Sequence, residues 1–259
     1  MKPKAPPPHP TVLEGSTERE VASVPVKSDA RSQGAMWELK AREQLKAMFR
    51  HLQKTIAALI ANDANEADTR MVVTDVLRDG LGYREYGDLA TEYQIKGEYA
   101  DYGIRIDHQL VAFVEVKRAT TKLGPKHLRQ VEMYAVNEGV EWLILTNGSD
   151  WEVYHLSAGM PVVIDLAFRI NLLDTAVPLG ERLDKLFYLH HDSLKRRQID
   201  ELWHLQAATS PKRIAEALLA PEALNSLRRE IWKLGRERVD VPELARLLRE
   251  TVIRPECLL

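Results

Sequence analysis

The 259-residue sequence predicts an α/β protein, a mixed central sheet flanked by helices, followed by an α-helical module from about residue 180. Three observations carry this. Five strand-length runs, apolar or alternating, lie between Leu89 and Leu156. One helix-period segment precedes them and another separates the third from the fourth, an order that lets helices cover a sheet. Past residue 180 the apolar residues recur only at three- and four-residue spacing.

Residues 1–34 are rich in Pro, Ser, Lys and Glu, with Pro6, Pro7, Pro8 and Pro10 crowded together. Such a composition buries too little apolar surface to offset its ordering entropy, so a disordered Pro-rich tail or a linker is expected. From residue 35 to 61 the spacing of Trp37, Leu45, Met48, Phe49, Leu52, Ile56, Leu59 and Ile60 predicts one long amphipathic helix. Its other face carries Lys40, Arg42, Lys46, Arg50 and Lys54. That helix fits three uses: facing DNA, forming a homodimer, or packing on its own chain with a solvated basic face.

The sheet-forming unit is expected over residues 62–170. Asn62 to Asn65 supply helix-breaking and capping chemistry. A helix then runs from Glu66 through Met71, Val72, Val76 and Leu77 to Gly80-Leu-Gly82, a glycine pair suited to stopping it. Strands are expected at Leu89–Ile95, Asp101–Ile106 and Val111–Val116, with Asp107-His-Gln109 as the hairpin between the last two. Gly124-Pro125 opens a helix through Leu128, Val131, Met133, Tyr134 and Val136, which Gly139 ends. Strands at Trp142–Leu145 and Trp151–Leu156 flank the strong turn signal Asn147-Gly148, and a short strand is expected at Val162–Asp165. In the helical module of residues 180–259, Leu183, Leu186 and Phe187 mark one amphipathic segment. Ile199, Leu202, Trp203 and Leu205 mark another. Ser210-Pro211 is a helix start, and Asp240 with Glu243 has capping-box spacing.

Composition narrows the function. A 45% hydrophobic fraction and 29% charged residues suit a packed core with a solvated surface, and the net charge is only −2. Any nucleic-acid affinity therefore has to come from local basic patches. Cys257 is the single cysteine, so neither an internal disulfide nor a cysteine zinc cage can form. No run approaches the roughly 20 apolar residues of a membrane helix, and no signal-peptide segment opens the chain, so a cytoplasmic location is expected. There is no phosphate-binding Gly-x-x-x-x-Gly-Lys-(Ser/Thr) loop, hence no nucleotide cofactor or motor, and no Gly-x-Ser-x-Gly elbow. His190 and His191 are adjacent, which puts them on different helix faces.

The chemistry concentrates in Val111-Ala-Phe-Val-Glu-Val-Lys-Arg118. Val111–Val116 reads as a buried strand, and Glu115 and Lys117, two apart, project from one face of it. Charges there are costly to desolvate, so they form either a structural pair or a site. A hairpin places Asp101, at the start of one strand, beside Glu115, at the end of the next. Two carboxylates so placed can share a hard cation such as Mg²⁺, and Lys117 can polarise a water there or stabilise charge on a phosphoryl group. Between Lys117 and Arg129 the chain carries Arg118, Lys122, Lys126 and Arg129, plus His127, and no acid. That loop is the expected nucleic-acid-binding segment. Lys195-Arg-Arg197 is a second basic run, for which an ordinary surface role is the simpler reading.

These residues resemble the PD-(D/E)xK nuclease superfamily, in particular the N-terminal nuclease domain of type I restriction enzyme motor subunits and its stand-alone relatives. Asp101 matches the superfamily's Asp, and Glu115-Val-Lys117 its (D/E)xK. Gly97-Glu-Tyr-Ala-Asp-Tyr102 resembles the branch's Ala-Asp-Tyr context in place of a literal Pro-Asp. Glu66-Ala-Asp-Thr-Arg70, Gln130-Val-Glu-Met-Tyr134 and Thr146-Asn-Gly-Ser-Asp-Trp151 match its other motifs, in order. The resemblance covers roughly residues 62 to 160. It implies a restriction-endonuclease-like fold and a Mg²⁺- or Mn²⁺-dependent DNA endonuclease serving restriction, defence or DNA processing. Asp101 and Glu115 would be metal ligands with Glu66 assisting. Lys117 would be the catalytic lysine, and Gln130 would orient it or contact the DNA backbone. Arg70 and Tyr134 would be supports. The alternative is a catalytically silent nuclease fold serving nucleic-acid binding or complex assembly.

Overall fold

The computed structural model describes residues 36–258 except 96–97, 129–134, 136–137 and 158–161, and gives the backbone alone at 94–95, 98–99 and 125. Six strands form one sheet in sequential order: β1 (Leu89–Ile95), β2 (Glu98–Ile106), β3 (Gln109–Val116), β4 (Trp142–Thr146), β5 (Asp150–Ser157) and β6 (Val163–Asn171). All neighbours are antiparallel except β3 and β4, which run parallel, so the sheet is mixed as its sequence predicts. The β2–β3 hairpin turns through Asp107 and His108, both at positive φ, the geometry of a two-residue turn that follows strand twist. The parallel step requires a crossover. Within it Pro125–His127 is a 3₁₀ turn rather than the start of an α-helix, and Ala135 and Glu138 are helical.

The long helix α1 (Met36–Ala61) and helix α2 (Glu66–Asp75) cover one face. Leu45, Phe49, Leu52 and Ile56 of α1 pack with Val73 of α2 and with Tyr102, Ile104 and Val114 of the sheet. The apolar stripe of α1 is thus buried in its own chain, which leaves its polar face for any contact with a second copy. The helix after Glu66 runs, as expected, to the glycine pair: it widens into a π turn over Val76–Gly80, and Gly82 follows at φ +76°. Gly80 also serves packing: a Cβ there would lie 2.6 Å from the end of Met48 on α1. The opposite face carries a second core of Phe113, Leu143, Leu145, Tyr154 and Leu156, closed by Leu123, Leu128, Ala135 and Val140 from the crossover.

Downstream lie α3 (Leu179–Phe187), α4 (His191–Lys195), α5 (Gln198–Ala208), α6 (Pro211–Leu218), α7 (Pro221–Gly235) and α8 (Val241–Leu247). Leu183, Leu186, Leu194 and Ile199 join the first core, whereas Ala215, Leu224, Leu244 and Leu248 form a small core among α6 to α8. Ser210 caps α6 by accepting the Arg213 N–H. Asp240 stands at the N-cap of α8 but makes no side-chain cap, and Glu243 pairs with Arg246 at 2.7 Å rather than reaching back to it. No helix among the described residues is long and apolar enough to cross a membrane.

His190 makes this helical region pH-sensitive. It is 4% exposed, its Nδ1 accepts the Asp192 N–H at 3.1 Å, and its Nε2 has no hydrogen-bond partner among the described residues. Burial lowers its pKa from 6.5 to about 4, with His191 adding to the effect and Asp192 opposing it. The unfolded chain therefore takes up the proton first. Stability is full above pH 6.5 and falls by up to about 3 kcal/mol as pH drops toward 4. His190→Asn keeps a capping acceptor without the titration. Urea unfolding at pH 7 and pH 4.5 should show that the variant lacks about 2 kcal/mol of the wild-type loss.

Candidate functional site

The site grows from the junction of β2, β3 and α2. Tyr102 pairs with Val114, so one step further along the ladder Asp101 and Glu115 come side by side. Both are buried, at 9% and 7% exposure. Asp101 Oδ2 accepts the Val116 N–H at 2.7 Å, and its Oδ1 meets the Arg70 guanidinium at 2.8 Å. Arg70 reaches it because α2 is pinned to β2: the Tyr102 hydroxyl bonds Thr74 Oγ1 at 2.8 Å and donates to the Arg70 carbonyl at 3.1 Å. The tyrosine of the Ala-Asp-Tyr motif is therefore an anchor for the helix that carries Glu66 and Arg70.

Glu115 Oε1 accepts from Lys117 Nζ at 2.5 Å. Burial raises the Glu115 pKa, and the charges of Asp101 and Glu66 add to the rise against the pull of Lys117. Burial alone would lower the Lys117 pKa, but the bond to Glu115 and the fields of Glu115, Glu66 and Asp101 outweigh it and hold the ammonium charged. Glu66 opens α2 directly behind the Asn65 cap, whose side chain accepts the Asp68 N–H at 2.9 Å. The site is thus three acids in one field, with Lys117 and Arg70 as counter-charges.

The segment leaving Lys117 is held on both sides. The Lys117 N–H donates to the Thr146 carbonyl at 2.8 Å, extending the parallel ladder. On one flank, Asp63 in the α1–α2 turn binds the Arg118 guanidinium and accepts from Thr120 Oγ1 at 2.8 Å. On the other, Asn147 Nδ2 donates to the Thr121 carbonyl at 3.0 Å, while its Oδ1 accepts the N–H groups of Ser149 at 3.1 Å and Asp150 at 2.7 Å. Gly148, at φ +90°, lies so close to α1 that a Cβ would stand 3.3 Å from Leu59. The Trp151 indole closes the turn by donating to the Gly148 carbonyl at 3.2 Å.

The structure brings together Asp101, Glu115 and Lys117, with Glu66 within electrostatic reach. Lys122 and Lys126, in the segment that follows Lys117, are exposed, with no acidic partner among the described residues. The Arg118 guanidinium, half-exposed, pairs with Asp63 in the α1–α2 turn and so clasps the loop. Gln130, Arg129 and Tyr134 lie outside the described residues. The Lys195-Arg-Arg197 run is engaged internally. Lys195 pairs with Asp107 at 2.6 Å, Arg196 lies 4.0 Å over the Trp37 ring, and Arg197 pairs with Asp200. Sequence reasoning did not reveal the Arg70–Asp101 contact, the Asp63 clasp or the reach of Asn147. The motif resemblance pointed to Arg70 as a support, and the Asn-Gly turn signal to the region of Asn147.

Among the described residues, no three His, Cys, Asp or Glu side chains stand where together they could hold a metal ion. The donor chemistry, two buried carboxylates with a third nearby, is that of a hard cation. Residues 65–162 match the family model described as type I restriction enzyme R protein N terminus. No curated protein and no solved structure matches the chain.

Proposed function

Residues 65–162 belong to the type I restriction enzyme R protein N-terminal family, and from that premise we propose that the chain is a metal-dependent endonuclease acting on DNA phosphodiester bonds. The observation that supports it best is the convergence of Asp101, Glu115 and Lys117 at one end of the sheet, followed in the chain by the exposed Lys122 and Lys126. Asp101 and Glu115, with Glu66, are the residues that would hold Mg²⁺ or Mn²⁺. Such a cation supplies Lewis-acid activation and neutralises phosphate charge. The Lys117 ammonium is held by Glu115 where it can donate to a phosphoryl oxygen as negative charge builds on it. Lys122 and Lys126 draw the polyanion to the same end of the sheet. Gln130 is proposed to orient Lys117 or to contact the DNA backbone, with Arg129 adding to the basic segment.

The test is nicking of supercoiled plasmid by the purified chain with Mg²⁺ or Mn²⁺. Asp101→Ala, Glu115→Ala and Lys117→Ala should each lower the rate at least about a hundredfold. Either ion should raise the melting temperature of the wild type but not of Asp101→Ala. Absence of metal-dependent cleavage of any DNA form sinks the reading. A second reading, a silent nuclease fold that binds nucleic acid, draws support from the pairing of Asp101 with Arg70 and of Glu115 with Lys117. It predicts salt-sensitive DNA binding that Asp101→Ala leaves unchanged.

A further inference from the structure

We infer that the C-terminal helices carry a second nucleic-acid surface, a basic groove along the end of α7 that takes an unpaired strand. Between Arg228 and Arg238 the chain carries five basic side chains against two acids, Glu230 and Glu237, although the whole molecule is slightly acidic. Arg228 and Trp232 are four residues apart and so share one side of α7. The helix ends at Arg236, which adopts the left-handed conformation at φ 55° and returns its N–H to the Trp232 carbonyl at 2.8 Å. That reversal sends residues 237–240 back past the helix end, with Val239 packed against the small core, and sets Arg238 in the second wall. The result is an open groove of about 600 Å³ lined by Arg228, Trp232 and Arg238, among others. Its size falls in the range of ligand-sized clefts, about 300–1,000 Å³.

Two of the basic groups are already occupied. Lys233 pairs with Glu230 at 2.7 Å, and Arg229 donates to Ser226 Oγ at 3.0 Å. Arg228, Arg236 and Arg238 are exposed, and among the described residues no acid pairs with them. Trp232 is 52% exposed beside them. Guanidinium forks match phosphate oxygens, and a half-exposed indole offers a face on which a base can stack. An acidic peptide would satisfy the arginines and leave the indole without a planar partner. A duplex keeps its bases stacked on one another, so only an unpaired strand engages both features. Glu237 and Asp240 also line the groove. They limit how much anion can lie along that wall and favour contact through one or two phosphates.

The choice of nucleic acid over another polyanion leans on the nuclease reading, but the surface is independent of cleavage and is tested without it. Binding of a fluorescein-labelled oligothymidylate of about twenty nucleotides, longer than a typical single-strand site, is followed by anisotropy in EDTA. The full chain is compared with Trp232→Ala and Arg228→Ala/Arg238→Ala, each checked for unchanged melting. Trp232→Ala should weaken binding about five- to hundredfold, the loss of one base–aromatic stack. The double arginine variant should lower the salt slope by about 1.4, two single-strand phosphate contacts. EDTA removes any metal, so these comparisons stand whether or not the wild type cleaves DNA. Unchanged affinity and slope in both groove variants overturns the inference. So does a loss confined to the arginine variant and equal for single-stranded and duplex DNA, which would assign the groove to duplex backbone.

Discussion

Lys117→Met is expected to abolish cleavage and to lower the stability of the fold by about 2 kcal/mol, with Glu115→Gln in the same chain restoring most of that loss. Glu115 is 7% exposed and its Oε1 receives Lys117 Nζ at 2.5 Å, while Asp101 and Glu66 repel its charge. Removing one member of a buried pair generally costs about 3–5 kcal/mol because the other stays charged and unpaired. Here the Lys117 side chain is 19% exposed, and Glu115, whose pKa is already raised, can take up a proton, so the lower figure is appropriate. Gln in place of Glu removes the charge that the lysine was answering. Stability should therefore read wild type first, the double variant slightly lower, Glu115→Gln lower again and Lys117→Met lowest. Activity orders differently: any change at either position should lower cleavage at least about a hundredfold. Urea unfolding of the four proteins, with plasmid nicking alongside, separates the two. Additive stability effects would mean that the pair contributes nothing to the fold as a pair.

The pair was legible in the sequence because its surroundings are regular. Val111–Val116 is apolar on both faces, so two charges two residues apart stand out. The same regularity recovered β1 to β5 to within three residues at each end. β6 is longer than its apolar signal, running to Asn171 where Val162–Asp165 was expected. It pairs only with β5, and Asp165 and Arg169 interrupt the apolar pattern. Arg169 is accounted for across the sheet, where it meets the buried Glu152 at 2.7 Å. Arg70 was placed as a support on motif grounds, but its bond to Asp101 depends on how α2 crosses the start of β2. No local periodicity encodes that crossing; it is set by a tyrosine thirty-two residues downstream. Arg118 illustrates the opposite case. A basic residue in an acid-free run reads as free, and the acid that binds it, Asp63, lies fifty-five residues upstream in a turn. Charge runs report the potential of a segment, and only the packed chain tells which members of the run are neutralised.

Asn147 extends that lesson to the largest effect expected away from the charged residues. It is 4% exposed, with Oδ1 serving the turn and Nδ2 reaching both the segment after Lys117 and the Asp150 carboxylate. Asn147→Ala leaves the Ser149 and Asp150 N–H groups and the Thr121 carbonyl without these partners. Each buried group so orphaned costs about 1–3 kcal/mol, and with partial relief from water a total near 3 kcal/mol is expected. Asn147→Ser is the sharper instrument. Its hydroxyl can still accept from the turn, more weakly than an amide, but it is too short to reach Thr121. Its stability loss should be about 1 kcal/mol. If Asn147 only stabilises the turn, cleavage by Asn147→Ser should track that small loss and stay close to wild type well below the melting temperature. If it positions Lys117 by docking residues 117–121 against the β4–β5 turn, kcat should fall about tenfold or more with little change in KM. Displacements of an ångström at a reacting centre can cost about a hundredfold. A wild-type kcat in Asn147→Ser would remove Asn147 from the positioning of the site and leave Asp63 and the Thr146 carbonyl to hold the loop on their own.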